Sequence, residues 1–112
     1  MSSHNNKQKG SIMDIMGTSI KELMQIPGVG KSIARDFLKI GIKSVRDLRG
    51  KNPEILYDLI NRKVGIVQDR CLLYVLRCAV YYSSTERSRH DPDKLKWWNW
   101  SDPKMSGEIR GV

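Results

Sequence analysis

Cysteine and histidine are scarce in this chain: there are two of each in 112 residues. Cys71 and Cys78 stand seven apart in a segment with helical periodicity. They share one face, with their Cα atoms roughly 10 Å apart at 1.5 Å rise per residue. A disulfide needs Cα atoms within about 7 Å, so this pair does not close one. The same separation misses the two-to-four spacing of structural zinc ligands, even with His90 downstream. Two small apolar side chains in the core, in a reducing compartment, is the expectation. His4 and His90 lie toward opposite ends of the chain without a paired nucleophile or carboxylate, so neither founds a hydrolytic site, and no cofactor and no enzymatic activity are expected.

Long apolar runs are also missing. Nothing approaches the roughly 18 residues a membrane-spanning helix requires, and the polar start, Met1 to Lys9, has no apolar stretch of a secretory signal behind it. A cytoplasmic protein without membrane contact, or a nuclear one, is expected. No segment alternates with the period of a strand; Val64-Gly65-Ile66 is too short.

What the chain has in excess is positive charge, +8 overall, which favours polyanionic partners. Its placement is uneven. Seven basic and two acidic residues fall between 31 and 51, so more than half of the excess occupies about a fifth of the chain. That segment directly follows Ile26-Pro27-Gly28-Val29-Gly30.

Helix signals are regular from Thr18 onward. Ser19-x-x-Glu22 reads as a capping box opening a helix with Ile20, Leu23 and Met24 on one face, ended by Pro27. A second helix spans Gly30 to Ile40, with Ile33, Ala34, Phe37 and Leu38 inward and Gly41 as its stop. Ser44-x-x-Asp47 opens a one-turn connector with Val45 and Leu48 inward. Asn52-Pro53 caps a fourth helix carrying Ile55, Leu56, Leu59 and Ile60 and ending at Gly65. The fifth and longest spans Val67 to Ser84, its apolar face including Cys71, Leu72, Val75, Leu76, Cys78, Ala79 and Tyr82. Asp69-Arg70 at its start is expected to be a favourable N-terminal acid with an ion-paired arginine. The fold class is therefore all-α, a compact five-helix bundle. It is organised as an arm at 1–17, in which Ile12, Met13, Ile15 and Met16 are able to dock on the domain, a helical domain at 18–84, and a tail at 85–112. In the tail Asp91-Pro92 caps a last short helix through Trp98, and the tryptophans Trp97, Trp98 and Trp100 are expected to pack on the bundle. Stacking on unpaired bases and a protein interface are their other readings.

The segment at 26–32 carries the chemistry. Proline sets the entry, and Gly28 and Gly30 permit positive φ and leave no side chain before an approaching ligand, while Val29 anchors the turn. The first amides of the following helix have no intrahelical acceptor and sit at the positive end of its dipole, which makes an anion site suited to a phosphate. Lys31, Arg35 and Lys39, at i, i+4 and i+8, form one cationic stripe, and Ser32 adds a hydroxyl. Gly30-Lys31-Ser32 also matches the end of a nucleotide-binding P-loop, but that motif needs glycine at position 25, where Gln25 stands, and a preceding strand.

Leu23-x-x-Ile26-Pro27-Gly28-Val29-Gly30-Lys31-Ser32-Ile33-Ala34 closely resembles the helix-hairpin-helix signature of DNA repair and recombination proteins. The resemblance implies hairpin amides that bind backbone phosphates without sequence preference. A weak internal echo, with Val64-Gly65-Ile66 between the fourth and fifth helices, suggests a tandem of hairpins in a SAM-like domain. The second hairpin lacks the other glycine and is degenerate, so phosphate binding is not carried over to it. Nearly the whole chain after residue 18 is similar to a family of small bacterial proteins labelled mitomycin resistance or pathogenicity-locus proteins. The similarity rests on IPGVGKSIA at 26–34, GIKSVRDL at 41–48, DRCLLYVLRCAVYY at 69–82 and DPDKLKWWNW at 91–100.

The expected function is sequence-independent DNA binding through Pro27, Gly28, Val29, Gly30, Lys31, Ser32, Arg35 and Lys39, with a role in repair, recombination or drug-damage resistance. With one competent hairpin, a partner protein or second protomer is expected to assist. The alternative is a protein–protein adaptor of the same helical fold whose basic stripe is only a solvated face.

Overall fold

The computed structural model describes residues 15–106, and among these there are five α-helices and no strand. They are α1 (residues 15–23), α2 (Lys31–Lys39), α3 (Pro53–Val64), α4 (Arg70–Ser84) and α5 (Asp102–Ser106). Short 3-10 turns at Val45–Leu48, Arg87–Arg89, Pro92–Leu95 and Trp97–Trp100 connect or follow them. The all-α class is as expected, but the set of five is not. The connector after α2 is a 3-10 turn, and the fifth α-helix lies at the C-terminal end.

Local chemistry sets most boundaries. The end of α2 is a Schellman motif: Gly41 has φ 87°, its N–H donates to Leu38, and the Ile42 N–H donates to Phe37 at 2.8 Å. Asn52 accepts from the Glu54 amide and opens α3 with Pro53 at its first position. Gly65, left-handed at φ 86°, ends it. Asp69 caps α4 by accepting the Cys71 amide at 2.8 Å.

The helix α1 departs from expectation. Residues 15–18 are already helical, so Ser19 is no N-cap; it is buried inside the helix. Glu22 reaches across the fold instead, where its carboxylate accepts the Val45 amide at 2.7 Å. A capping box is a local pattern, and here a long-range partner took its acid. The connector's own box is shifted by one residue: Ser44 Oγ accepts from the Asp47 amide, but Asp47 accepts from Lys43 rather than from Ser44. Ile15 and Met16 lie exposed on α1, and Ile12 and Met13 fall outside the described residues.

The core joins α1 through α4. Leu23, Ile26, Ala34, Phe37, Leu48, Ile60, Leu73 and Leu76 are at most 1% exposed. The apolar face of α3 is rotated from expectation: Leu56, Tyr57 and Ile60 are buried, whereas Ile55 and Leu59 face solvent. Tyr57 takes the inward position because its hydroxyl donates to the Gln68 carbonyl and so holds the α3–α4 turn. On α4, Leu72, Leu73, Val75, Leu76, Cys78 and Ala79 are buried. Cys71 is exposed and does not join them.

Candidate nucleic-acid interface

The turn between α1 and α2 is built from the inside out. Ile26 and Val29 are 1% and 5% exposed, and the Val29 amide donates to the Ile26 carbonyl, so two apolar side chains pin the loop to the core. Pro27 bridges them, half-buried. The two glycines then serve different ends. Gly28 has φ 85°, in the left-handed region, and a Cβ built there would lie 2.8 Å from Trp97 Cδ1. It is glycine because the backbone turns and because an indole rests on it. Gly30 has φ −95° and ψ −171°, ordinary extended backbone, and a Cβ there would meet nothing within 4 Å. Its side toward solvent is open.

Gly30 is the N-cap of α2, and no side chain caps this helix. The first intrahelical bond is Ala34 N–H to the Gly30 carbonyl, so the amides of Lys31, Ser32 and Ile33 precede the ladder at the positive end of the dipole. No acidic residue stands in the first turn. Lys31, Ser32 and Arg35 are exposed, and neither cation has an acidic partner among the described residues. Lys39, one turn further on, is 3.7 Å from Asp36 with half its side chain in water. Pairs this exposed are worth little and leave the cation available. Of the eight residues named from the sequence, Gly28, Gly30, Lys31, Ser32, Arg35 and Lys39 are exposed, Pro27 is half-buried, and Val29 is buried as the anchor.

Not all of the basic segment belongs to this face. Arg49 Nε donates to the Ser83 carbonyl at 3.1 Å, and the Gly50 amide donates to Ser84 Oγ, so the connector satisfies the C-terminal end of α4. Part of the +5 excess is structural.

The C-terminal segment is the contribution sequence reasoning placed least well. A single helix through Trp98 is not formed; two 3-10 turns break at Lys96, and each tryptophan has a separate position. Trp97 packs on the core and on Gly28. Trp100 lies 5.6 Å from Tyr81 between ring centroids, and its Nε1–H donates to the Lys94 carbonyl. Trp98 meets Trp97 edge-on at 5.7 Å and is 54% exposed. The segment is tied down by Asp102. That carboxylate receives Arg70 at 2.8 Å, Arg77 at 3.0 Å and the Tyr74 hydroxyl at 3.2 Å. The bonds from Arg70 above all, then those from Arg77 and Tyr74, hold the Asp102 carboxyl below the usual range. Arg77 also donates to the Trp100 carbonyl and to Glu54. Arg70 is thus ion-paired as expected, although with an acid 32 residues away.

Both cysteine thiols are shifted upward. Burial pushes the Cys78 thiol up to about 11, and its S–H points at the Lys94 carbonyl. The bond with Asp69 pushes the Cys71 thiol up as well. Among the described residues, no group of three or more histidine, cysteine, aspartate or glutamate side chains is placed to hold a metal ion. No helix among them is long and apolar enough to cross a membrane.

Residues 17–105 match the model of the Cdd1 family, described as pathogenicity locus. The chain belongs to the Cdd1 pathogenicity-locus family. The chain is also similar to the mitomycin resistance protein McrB of Streptomyces lavendulae, with 31% identity over 90 residues that cover 78% of this chain and 80% of the relative. No solved structure matches the chain. The Cdd1 match takes in both the hairpin at 26–30 and the tail through Met105, so the surface where Trp97 meets Gly28 lies wholly inside the family's span.

Proposed function

We propose that this Cdd1-family protein is a DNA-binding module that grips the phosphate backbone without reading sequence and carries out no catalytic step. The observation behind the reading is the uncapped start of α2. Its amides, at the positive end of a helix dipole, open to solvent past Gly30 and stand beside two cations, Lys31 and Arg35, without an acidic partner among the described residues. In this reading the two inter-helix turns are tandem hairpins of a SAM-like domain, the second degenerate. The similarity to a protein named for mitomycin resistance fits a role at drug-damaged DNA. Repair or recombination would use the same contact.

A second reading, a protein adaptor or a module completed by a second protomer, is favoured by one feature. The α3–α4 turn exposes Val64, Ile66 and Val67 at 37%, 68% and 78%, and Ile55 and Leu59 are exposed on α3. These are exposed apolar side chains, and Leu59 lines the same surface depression as Lys39 of the stripe.

Electrophoretic or anisotropy titration separates the two. Affinity for unrelated duplexes should be similar, and log K should fall with log salt by about 0.9 per phosphate contacted. Lys31→Glu combined with Arg35→Glu should lower duplex affinity at least tenfold while leaving the helical circular dichroism unchanged. Absence of binding to duplex, single-stranded and junction DNA at low salt would leave the adaptor reading standing alone.

A further inference from the structure

The Trp97–Gly28 contact ties two features into one surface. Trp97 lies against the hairpin, and Trp98 meets it edge-on with more than half its area in solvent. An exposed indole is therefore held one ring away from the turn that precedes the bare start of α2. It is not a loose side chain. The backbone beneath it is fixed by Asn99 Nδ2 donating to the Asp93 carbonyl, by Trp100 Nε1 donating to Lys94, and by the Asp102 clamp on Arg70 and Arg77. A ring fixed in this way loses little conformational freedom when something stacks on it.

Basic residues flank the tryptophan pair in sequence and at the turn, together with the acid Asp93. Arg87 donates to Gln25, three residues before Gly28, and Lys96 adjoins the tryptophan pair. Lys31 follows the turn on its other side, exposed. Lys96 pairs with Asp93 at 3.5 Å, both well exposed, which leaves its charge available to a stronger anion. An exposed aromatic surface beside a phosphate-binding turn, with basic residues on the flanking segments, is a combination that holds an unstacked nucleobase, since every base presents a π-face and carries its phosphate with it.

We propose that Trp98 is a stacking platform for an unpaired base, and that the preferred target is DNA in which a base is already out of the stack. Resting on the hairpin reading above, this adds the substrate form. Phosphate contacts at Gly30 to Ser32 supply binding to any DNA. Trp98 adds affinity only where a base is free, because extracting one from an intact duplex costs the stacking that Trp98 would return.

The test compares a continuous duplex with the same duplex carrying a single bulged 2-aminopurine, by anisotropy and by the fluorophore's own emission. The unsubstituted protein should bind the bulge about tenfold more tightly and quench its emission. Trp98→Ala should abolish both the preference and the quenching while duplex affinity stays within twofold, and Trp98→Phe should retain most of the preference. The Lys31→Glu, Arg35→Glu variant should lose both substrates together. Equal affinity for the two DNAs, or a preference that survives Trp98→Ala, overturns the platform and leaves the hairpin reading intact. Failure to bind either DNA at low salt overturns both.

Discussion

Two turns in this molecule join helices in the same way and end at opposite electrostatic states. The α1–α2 turn delivers the chain to a helix start capped by Gly30 alone, with no carboxylate in the first turn. The α3–α4 turn delivers it to a helix start whose cap is Asp69, so the protein's own acid occupies the place an external anion would take. The amide of Cys71 holds that carboxyl below its usual range. The cations differ likewise: among the described residues Lys31 and Arg35 have no acidic partner, whereas Arg70 is turned away to Asp102. The lesson is that a helix dipole is an anion site only where the sequence declines to fill it.

The sharpest way to break this contrast is to make the first turn like the second. Gly30→Asp fits the extended backbone and the open space at that position. It should place a carboxylate on the α2 amides, lower DNA affinity at least tenfold, and raise thermal stability by a few tenths of a kcal/mol, because aspartate is a better N-cap than glycine. Affinity and melting temperature moving in opposite directions is the signature; unchanged affinity would show that phosphates are not bound there.

Gly28→Ala acts on the fold. The left-handed backbone and the 2.8 Å approach to Trp97 should together cost about 1–3 kcal/mol in denaturant unfolding. A cost near zero would mean that the indole shifts freely, which the Asp102 clamp opposes.

The clamp itself is pH-dependent. The folded state holds the Asp102 carboxyl below its ordinary value of 3.8, so its stabilisation is complete above that value and is lost as pH falls through the lower, folded one. Acid unfolding followed by tryptophan fluorescence should begin at higher pH in Tyr74→Phe, and Asp102→Asn should remove this clamp's part of the acid limb.

The smallest effect is expected from Asp69→Asn, which exchanges one good N-cap for a neutral one. It uncovers the α4 dipole, yet DNA affinity should change less than twofold, because exposed Ile66 and Val67 precede that start and Arg70 stays with Asp102. A marked gain in affinity would mean that the second turn differs from the first by a single charge.

These turns also show how much could be read from the residues. Gly41, Asn52-Pro53, Gly65 and the anchor Val29 were legible because caps and left-handed stops act within three or four residues. The exposed cationic stripe on α2 followed from helical spacing alone. Glu22 was misread because Ser-x-x-Glu is a local pattern whose acid found a better donor 23 residues on. Gly28 is exposed, but what lies against its Cβ side is Trp97, 69 positions away, which no local pattern announces. Cys71 shared a face with Cys78 by spacing, but Cys71 is exposed and Cys78 buried.

By itself, then, the sequence determined α2, α3 and α4, their stops and the bare cationic start of α2, since each rests on backbone geometry and on side chains a turn apart. Tertiary structure decided what lies next to that start. The meeting of Trp97 with Gly28, the Asp102 clamp and the exposure of Trp98 all depend on a tail folding back across α4. Contacts over such separations are chosen by packing and ion pairing, which no local pattern encodes.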